Sequence, residues 1–196
     1  TAEALGYDHL ALADHVLGVN AANIANWGNR NTSADYFHDP FLLFSYLSAC
    51  TTQIEFSTQV LILPQRQTAL VAKQATELAI LSNYRFRLGI GTGWNEVEYE
   101  ALNVPFAARG KRQAEQIELL RDLWESDNVT FNGDFHTVTQ ASILPRPAHP
   151  IPIWFGGIAP ALLSRCARMG QGWFPLGGPN EASATAIATI KKKREE

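Results

Sequence analysis

Strand-like and helix-like segments alternate along this chain, which predicts an α/β protein on a parallel sheet. Three observations carry that prediction. Short apolar runs, partly β-branched or aromatic, recur between helix-period segments, as strands covered on both faces require. The links between them are short, which suits right-handed crossovers. Every strand run ends on polar or glycine-rich residues, and ligands bind where such strands end. That distribution favours a ring of loops around one mouth, as in part of an eight-stranded barrel, over the single crevice of a doubly wound sheet.

Thr1 to Gly6 read as the last turn of a helix stopped by glycine, so the natural protein is expected to extend before residue 1. Strands are predicted over Tyr7–Ala13, Ile54–Leu63, Arg85–Gly91, Ile151–Phe155 and Gly172–Leu176. Helices are predicted over Pro40–Cys50, Thr68–Leu81, Arg109–Trp124, Pro160–Met169 and Glu181–Lys193. Asp39-Pro40 supplies a cap and a first-turn proline to the first of these. In the second, Leu70, Val71, Gln74, Leu78 and Leu81 follow helical spacing, with alanines between them. In the third, Ile117, Leu120, Leu123 and Trp124 form the buried stripe, while Lys111, Glu115, Glu118 and Arg121 face out. Asn95 and Glu98 have the spacing of a capping box. Residues 128–145 interrupt the alternation: Val129 to Phe131, an Asn132-Gly133 turn, then Phe135 to Val138 predict a β-hairpin insertion within one domain spanning 1–196.

Composition narrows the function. The chain has 196 residues, 46% of them hydrophobic, which is enough for a sizeable core. A net charge of -3 offers no electrostatic footprint for nucleic acid or an anionic membrane. The Lys191 to Arg194 run is at once followed by Glu195-Glu196 and reads as a solvated helix end. Two cysteines without a C-x-x-C pair argue against a disulfide framework or structural zinc and suit a reducing cytoplasm. No apolar run is long enough to span a membrane. The histidines lack the helical spacing of a zinc site, so no metal is expected, and there is no G-x-S-x-G nucleophile elbow.

The chemistry is expected at the strand ends. Asp14-His15 sets a carboxylate beside an imidazole, suited to holding a ring and moving a proton; the competing reading is a capping Asp with His15 filling space. Gly89-Ile90-Gly91-Thr92-Gly93 lacks the third glycine of a dinucleotide fingerprint because Trp94 stands there. These glycines instead let backbone approach a planar ligand, with Asn95 serving either as a helix cap or as a contact. Gly156-Gly157 precedes a helix start and leaves N–H groups free for an anion, or makes a tight turn. Arg66 either reaches an anion or lies on the surface.

Taken in order, these segments resemble the luciferase-like monooxygenases. The resemblance runs through Leu5-Gly6-Tyr7-Asp8 and Asp14-His15, Thr58 to Arg66 with Ala72-Lys73-Gln74, Arg85 to Glu96, Arg109 to Arg112 with Glu115, Pro152 to Gly157, and Gly172 to Pro175. It implies a TIM-like (β/α)₈ barrel, incomplete here with about five βα units, since the first strand and the last two have no counterpart. The Asp-His pair and the Gly-Thr-Gly-Trp-Asn-Glu stretch are similar to the F420-using branch, with FMN as the alternative cofactor. By that resemblance Asp14 contacts the deazaflavin ring, His15 lies at its reactive face as the catalytic residue, Asn95 bonds the cofactor, and the Gly156-Gly157 backbone holds its phosphate. Gln59-Val60 would form a bulge against the ring, often with a non-proline cis peptide. Glycine is usual in relatives at the position of Tyr84, and aspartate at that of Gln171. The implied activity is hydride transfer between a small organic substrate and F420. An FMN monooxygenase and a shortened, non-catalytic flavin-binding protein are the alternatives. A cytoplasmic homo-oligomer is expected, with neither nucleic acid nor membrane as partner.

Overall fold

The computed structural model describes residues 1–195. Its main sheet has the order β1 (His9–Leu12), β2 (Glu55–Thr58), β4 (Phe86–Gly91), β7 (Ile153–Gly156) and β8 (Gly172–Phe174), with the short β3 (Leu61–Ile62) also pairing β4. Every pairing in it is parallel, and the order follows the sequence without the reversal of a doubly wound sheet. The result is a parallel half-barrel with helices. The connecting helices are α1 (Pro40–Ala49), α2 (Thr68–Leu81), α4 (Arg109–Glu125), α5 (Pro160–Met169) and α6 (Glu181–Glu195), and each packs on the next in sequence. A short helix, α3 (Glu96–Ala101), follows β4; the sequence marks its cap but not its length.

The predicted strand Ile54–Leu63 is two strands. The Gln59-Val60 peptide is cis and breaks the ladder. At the break, Thr58 Oγ1 donates to the Gly89 carbonyl at 2.7 Å and accepts from the Gly89 N–H at 2.9 Å. A side chain thus replaces the backbone link between β2 and β4 until β3 resumes pairing at Leu61↔Ile90.

The core lies between sheet and helices, around Phe56, Leu61, Leu88, Ile90 and Phe155 from the strands with Val71, Ala75, Leu78, Ile117 and Leu120 from α2 and α4. The stripe predicted for α2 is rotated. Leu70 and Leu81 are exposed, and the face turned inward is Val71, Ala72, Ala75, Leu78 and Ala79. Small residues let α2 lie close to both the sheet and α4, so the alanines carry the contact. On α4 the predicted stripe is buried, joined by Leu119, Gln113 and Gln116.

Strands β5 (Val129–Asn132) and β6 (Thr137–Ala141) pair antiparallel as a separate hairpin. Its loop is not a two-residue Asn-Gly turn. Asn132 continues the strand, and Gly133 N–H donates to the His136 carbonyl at 2.9 Å across a wider loop. Glu115 sets that width: its carboxylate accepts the Asp134 and Phe135 N–H groups at 2.7 and 2.9 Å and the His136 Nδ1–H at 2.7 Å. Glu115 is therefore an anchor and not merely an outward-facing charge.

Candidate active site

A cavity of about 480 Å³ opens at the carboxyl ends of the strands. Asp14, His15, Gln59, Val60, Gly156 and Gly157 all line it, together with Trp94 and Phe174. Other cavities of similar size, among them one between β8 and α6 and one beneath the proline-rich 145–152 segment, contain none of these residues. Asn95 stands apart. It is buried behind the wall, and its Oδ1 accepts the Glu98 N–H at 3.2 Å as the N-cap of α3, which is the capping alternative. Its Nδ2 is buried without a hydrogen-bond partner among the described residues.

Asp14 is braced on both oxygens. Oδ1 takes Arg66 Nη2 at 2.6 Å, while Oδ2 takes Arg66 Nε and the Ile62 N–H, each at 3.1 Å. Arg66 also reaches Asp39 at 3.1 Å. Burial works to depress the Arg66 guanidinium, but the two carboxylates outweigh it and hold its pKa above the ordinary value. Arg66 is thus neither a surface cation nor a free anion site. The pair ties the end of β1 to β3, fixing the Gln59-Val60 segment from behind.

His15 is oriented by a residue that the sequence reading assigned elsewhere. Glu98, fully buried at the start of α3, does not close the capping box back onto Asn95. Its carboxylate lies 3.2 Å from His15 Nδ1 through both oxygens and accepts the Val16 and Leu17 N–H groups at 2.8 and 3.2 Å. Burial tends to raise the Glu98 pKa, but His15 and these amides prevail and hold it below the usual carboxylate value. An ionised Glu98 requires the proton on Nδ1, leaving the Nε2 lone pair free of protein partners among the described residues. Asn31 sets its Nδ2 2.9 Å from the same Nδ1, with its Oδ1 buried and unpartnered. Two N–H donors cannot share that contact. A half-turn of the amide presents Oδ1 to the Nδ1–H, with Nδ2 then in the position that has no protein partner among the described residues.

The cavity floor is made of glycine around Val60. A Cβ on Gly91 or Gly156 would lie 2.5 Å from a Val60 methyl, so only glycine allows Val60 to sit between β4 and β7. Above them Gly157 turns at φ +124, and α5 begins at Pro160 with no side chain capping its first turn. An apolar floor beside an uncapped helix start fits a planar ring carrying an anionic group.

The long β1–α1 connection packs against His15 and Trp94, two residues of the cavity wall. Phe37 packs edge-on to His15 at 4.7 Å, Trp27 lies 5.0 Å from Trp94, and Arg30 sits 5.1 Å over the Trp94 ring. No periodicity marks this segment. The aromatic residues between two predicted elements were its only signal.

Among the described residues, no cluster of three or more His, Cys, Asp or Glu side chains is placed to hold a metal, and no helix is long and apolar enough to cross a membrane.

The family model described as luciferase-like monooxygenase matches residues 1–196. A protein of Mycobacterium tuberculosis (strain ATCC 25618 / H37Rv), described as uncharacterized, is 41% identical over all of this chain and 69% of its own length. An F420-dependent glucose-6-phosphate dehydrogenase of Amycolatopsis mediterranei is 31% identical over 90% of the chain, which spans about half, 51%, of that relative. Among solved structures, an F420-dependent secondary alcohol dehydrogenase in complex with an F420-acetone adduct superposes with a TM-score of 0.81 over 99% of this chain and 57% of that one, at 22% identity. A riboflavin lyase with modified FMN gives a TM-score of 0.84 at 17% identity.

Proposed function

Since the chain belongs to the luciferase-like monooxygenase family, whose members use F420 or FMN, we propose that it is the cofactor-binding part of an F420-dependent oxidoreductase. The barrel to which it contributes is incomplete here, with about five βα units. One observation carries the reading: the Glu98–His15 pair stands at the wall of a cavity whose floor and anion cradle suit a deazaflavin. When bound, F420 supplies a two-electron hydride acceptor or donor. Val60, Gln59 and the glycines beside them would hold its ring, and the Gly156-Gly157 backbone with the first turn of α5 would hold its phosphate. Asp14 supports this floor through Arg66 and Ile62 more than through direct contact.

The chain's own chemistry is a proton transfer. As a substrate alcohol gives up its carbon-bound hydrogen as hydride, His15 Nε2 takes the hydroxyl proton, and Glu98 stabilises the imidazolium that forms. In the reverse direction the same proton returns to the carbonyl oxygen. An FMN-dependent monooxygenase is the second reading, supported by 29% identity to a pyrimidine monooxygenase of Escherichia coli over 87% of this chain. A non-catalytic flavin-binding role is the third.

The test separates His15 from Asp14. His15→Ala should lower kcat about 100-fold or more with cofactor affinity within about threefold, as expected for loss of a general base. Asp14→Ala should act mainly through stability. An unchanged kcat in His15→Ala removes the proposed mechanism.

A further inference from the structure

We propose that the chain carries a second binding site, separate from the strand-end cavity, for a small carboxylate with an apolar body. The site is a cavity of about 470 Å³ lined by η3 and α2, by the loop joining α3 to α4, and by Arg112 of α4. It shares no residue with the strand-end cavity. Its helices pack on one another in the middle of the element order, away from the β1 and β8 edges. Arg112 supplies the charge. It ends the first turn of α4, where the helix macrodipole disfavours a cation, and neither an acidic residue in that turn nor a capping side chain offsets it. Among the described residues no carboxylate lies within ion-pair distance of it, and its buried Nε has no hydrogen-bond partner. A guanidinium edge left without an acceptor is costly, and a carboxylate answers it with two parallel bonds.

Gln65 adds an independent observation. It lines the same cavity and is only 6% exposed, yet its Nε2 is buried without a partner among the described residues. A buried N–H donor in that state calls for an acceptor. The start of α2 presents further donors: Gln67 makes no side-chain cap there, and no acidic residue stands in the first turn. Arg66 also lines the cavity, but Asp14 and Asp39 neutralise it through Nε and Nη2, so the free charge is that of Arg112 alone. One free positive charge suits a monoanion better than a phosphate dianion. The rest of the lining includes Leu70, Leu102 and Val104, with Leu70 51% exposed, and this aliphatic wall suits an apolar body behind the carboxylate.

Benzoate is the probe, followed through the Arg112 Nε–H signal in ¹H–¹⁵N spectra of the labelled chain at constant ionic strength. That signal should move saturably. Calorimetry should show benzoate binding at least about tenfold more tightly than benzyl alcohol, which lacks the charge. Arg112→Gln should weaken benzoate about tenfold, and Arg112→Lys, which keeps the charge but loses the fork, should recover part of it. Gln65→Leu, which removes one donor, should weaken it about threefold. An Arg112 signal that benzoate does not move saturably, equal binding of benzyl alcohol, benzoate binding unaffected in a folded Arg112→Gln chain, or inorganic phosphate binding at Arg112 more tightly than benzoate would each overturn the proposal. The wild-type spectrum decides even where a variant fails to fold. F420 plays no part in this test, so failure of the cofactor reading leaves the carboxylate site standing.

Discussion

At the residue scale the account rests on Glu98. It sets the His15 tautomer from 83 residues away in sequence. Glu98→Gln still offers an oxygen to the Val16 and Leu17 amides but presents N–H to Nδ1, which moves the ring proton to Nε2. The ¹⁵N spectrum of His15 should therefore exchange its pyridine-like and pyrrole-like nitrogens, and turnover should fall about 100-fold, comparable to other loss of base function. A normal tautomer with lost activity would assign Glu98 a merely structural role. Asp14 answers to stability instead: Asp14→Ala leaves Arg66 with Asp39 alone and strands the Ile62 N–H, costing about 1–3 kcal/mol in denaturant unfolding. Asp14 and His15 were legible because they directly follow a strand. Glu98 was not, because its three-residue spacing from Asn95 fits a capping box equally well, and only the direction of its side chain separates the two roles. Gln59 and Val60 came from family resemblance alone, while Gly156-Gly157 stood out as a glycine pair before a helix start, a pattern that fits a tight turn as well as an anion site.

At the element scale the β5–β6 hairpin is held by one polar chain. Gln116 Nε2 donates to Thr68 Oγ1 at 3.0 Å, Thr68 bonds His136 Nε2 at 2.8 Å, and His136 Nδ1 donates to Glu115. With His136 neutral and its Nδ1–H on Glu115, the Thr68 hydroxyl proton goes to Nε2. Burial depresses the His136 pKa below the ordinary imidazole value; Glu115 opposes this and Arg112 adds to it. For Glu115, burial acts to raise the carboxyl, but His136 and the Phe135 and Asp134 amides outweigh it and lower the pKa. Both folded-state values lie below the unfolded ones, so the unfolded chain binds more protons as pH drops. The contribution of this anchor is complete above the unfolded imidazole value of 6.5, weakens below it, and is lost as pH falls further below 4.5. Amide exchange at Asp134 and Phe135, corrected for intrinsic rates, should accelerate across that window, and His136→Ala should remove the part above pH 4.5. The hairpin's existence was readable from its alternating strands and turn residues; its loop was not, because a carboxylate on α4 rather than local turn propensity shapes residues 133–136.

At the scale of the whole molecule, the order of β and α units was legible because parallel strands, covered on both faces, leave continuous apolar runs. What escaped was the break at Gln59-Val60, inside a run that reads as one strand, and the rotation of α2, where alanines outrank leucines because the space is narrow. The end strands β1 and β8 have no fully buried residue, unlike β4 between them. Unpaired strand edges template association, and we propose that copies of this chain self-associate through them; light scattering should give a mass above 21.6 kDa, and a monomer at all concentrations would contradict it. The central claim, a deazaflavin on the Val60 floor, is tested most directly by spectral titration with F420 and with FMN, on the chain and on Gly156→Ala, whose Cβ would meet Val60 at 2.5 Å. The account predicts saturable binding of F420 in preference to FMN, weakened about tenfold or more in the variant. No F420 binding, tighter binding of FMN, or equal binding by a folded Gly156→Ala chain would contradict it.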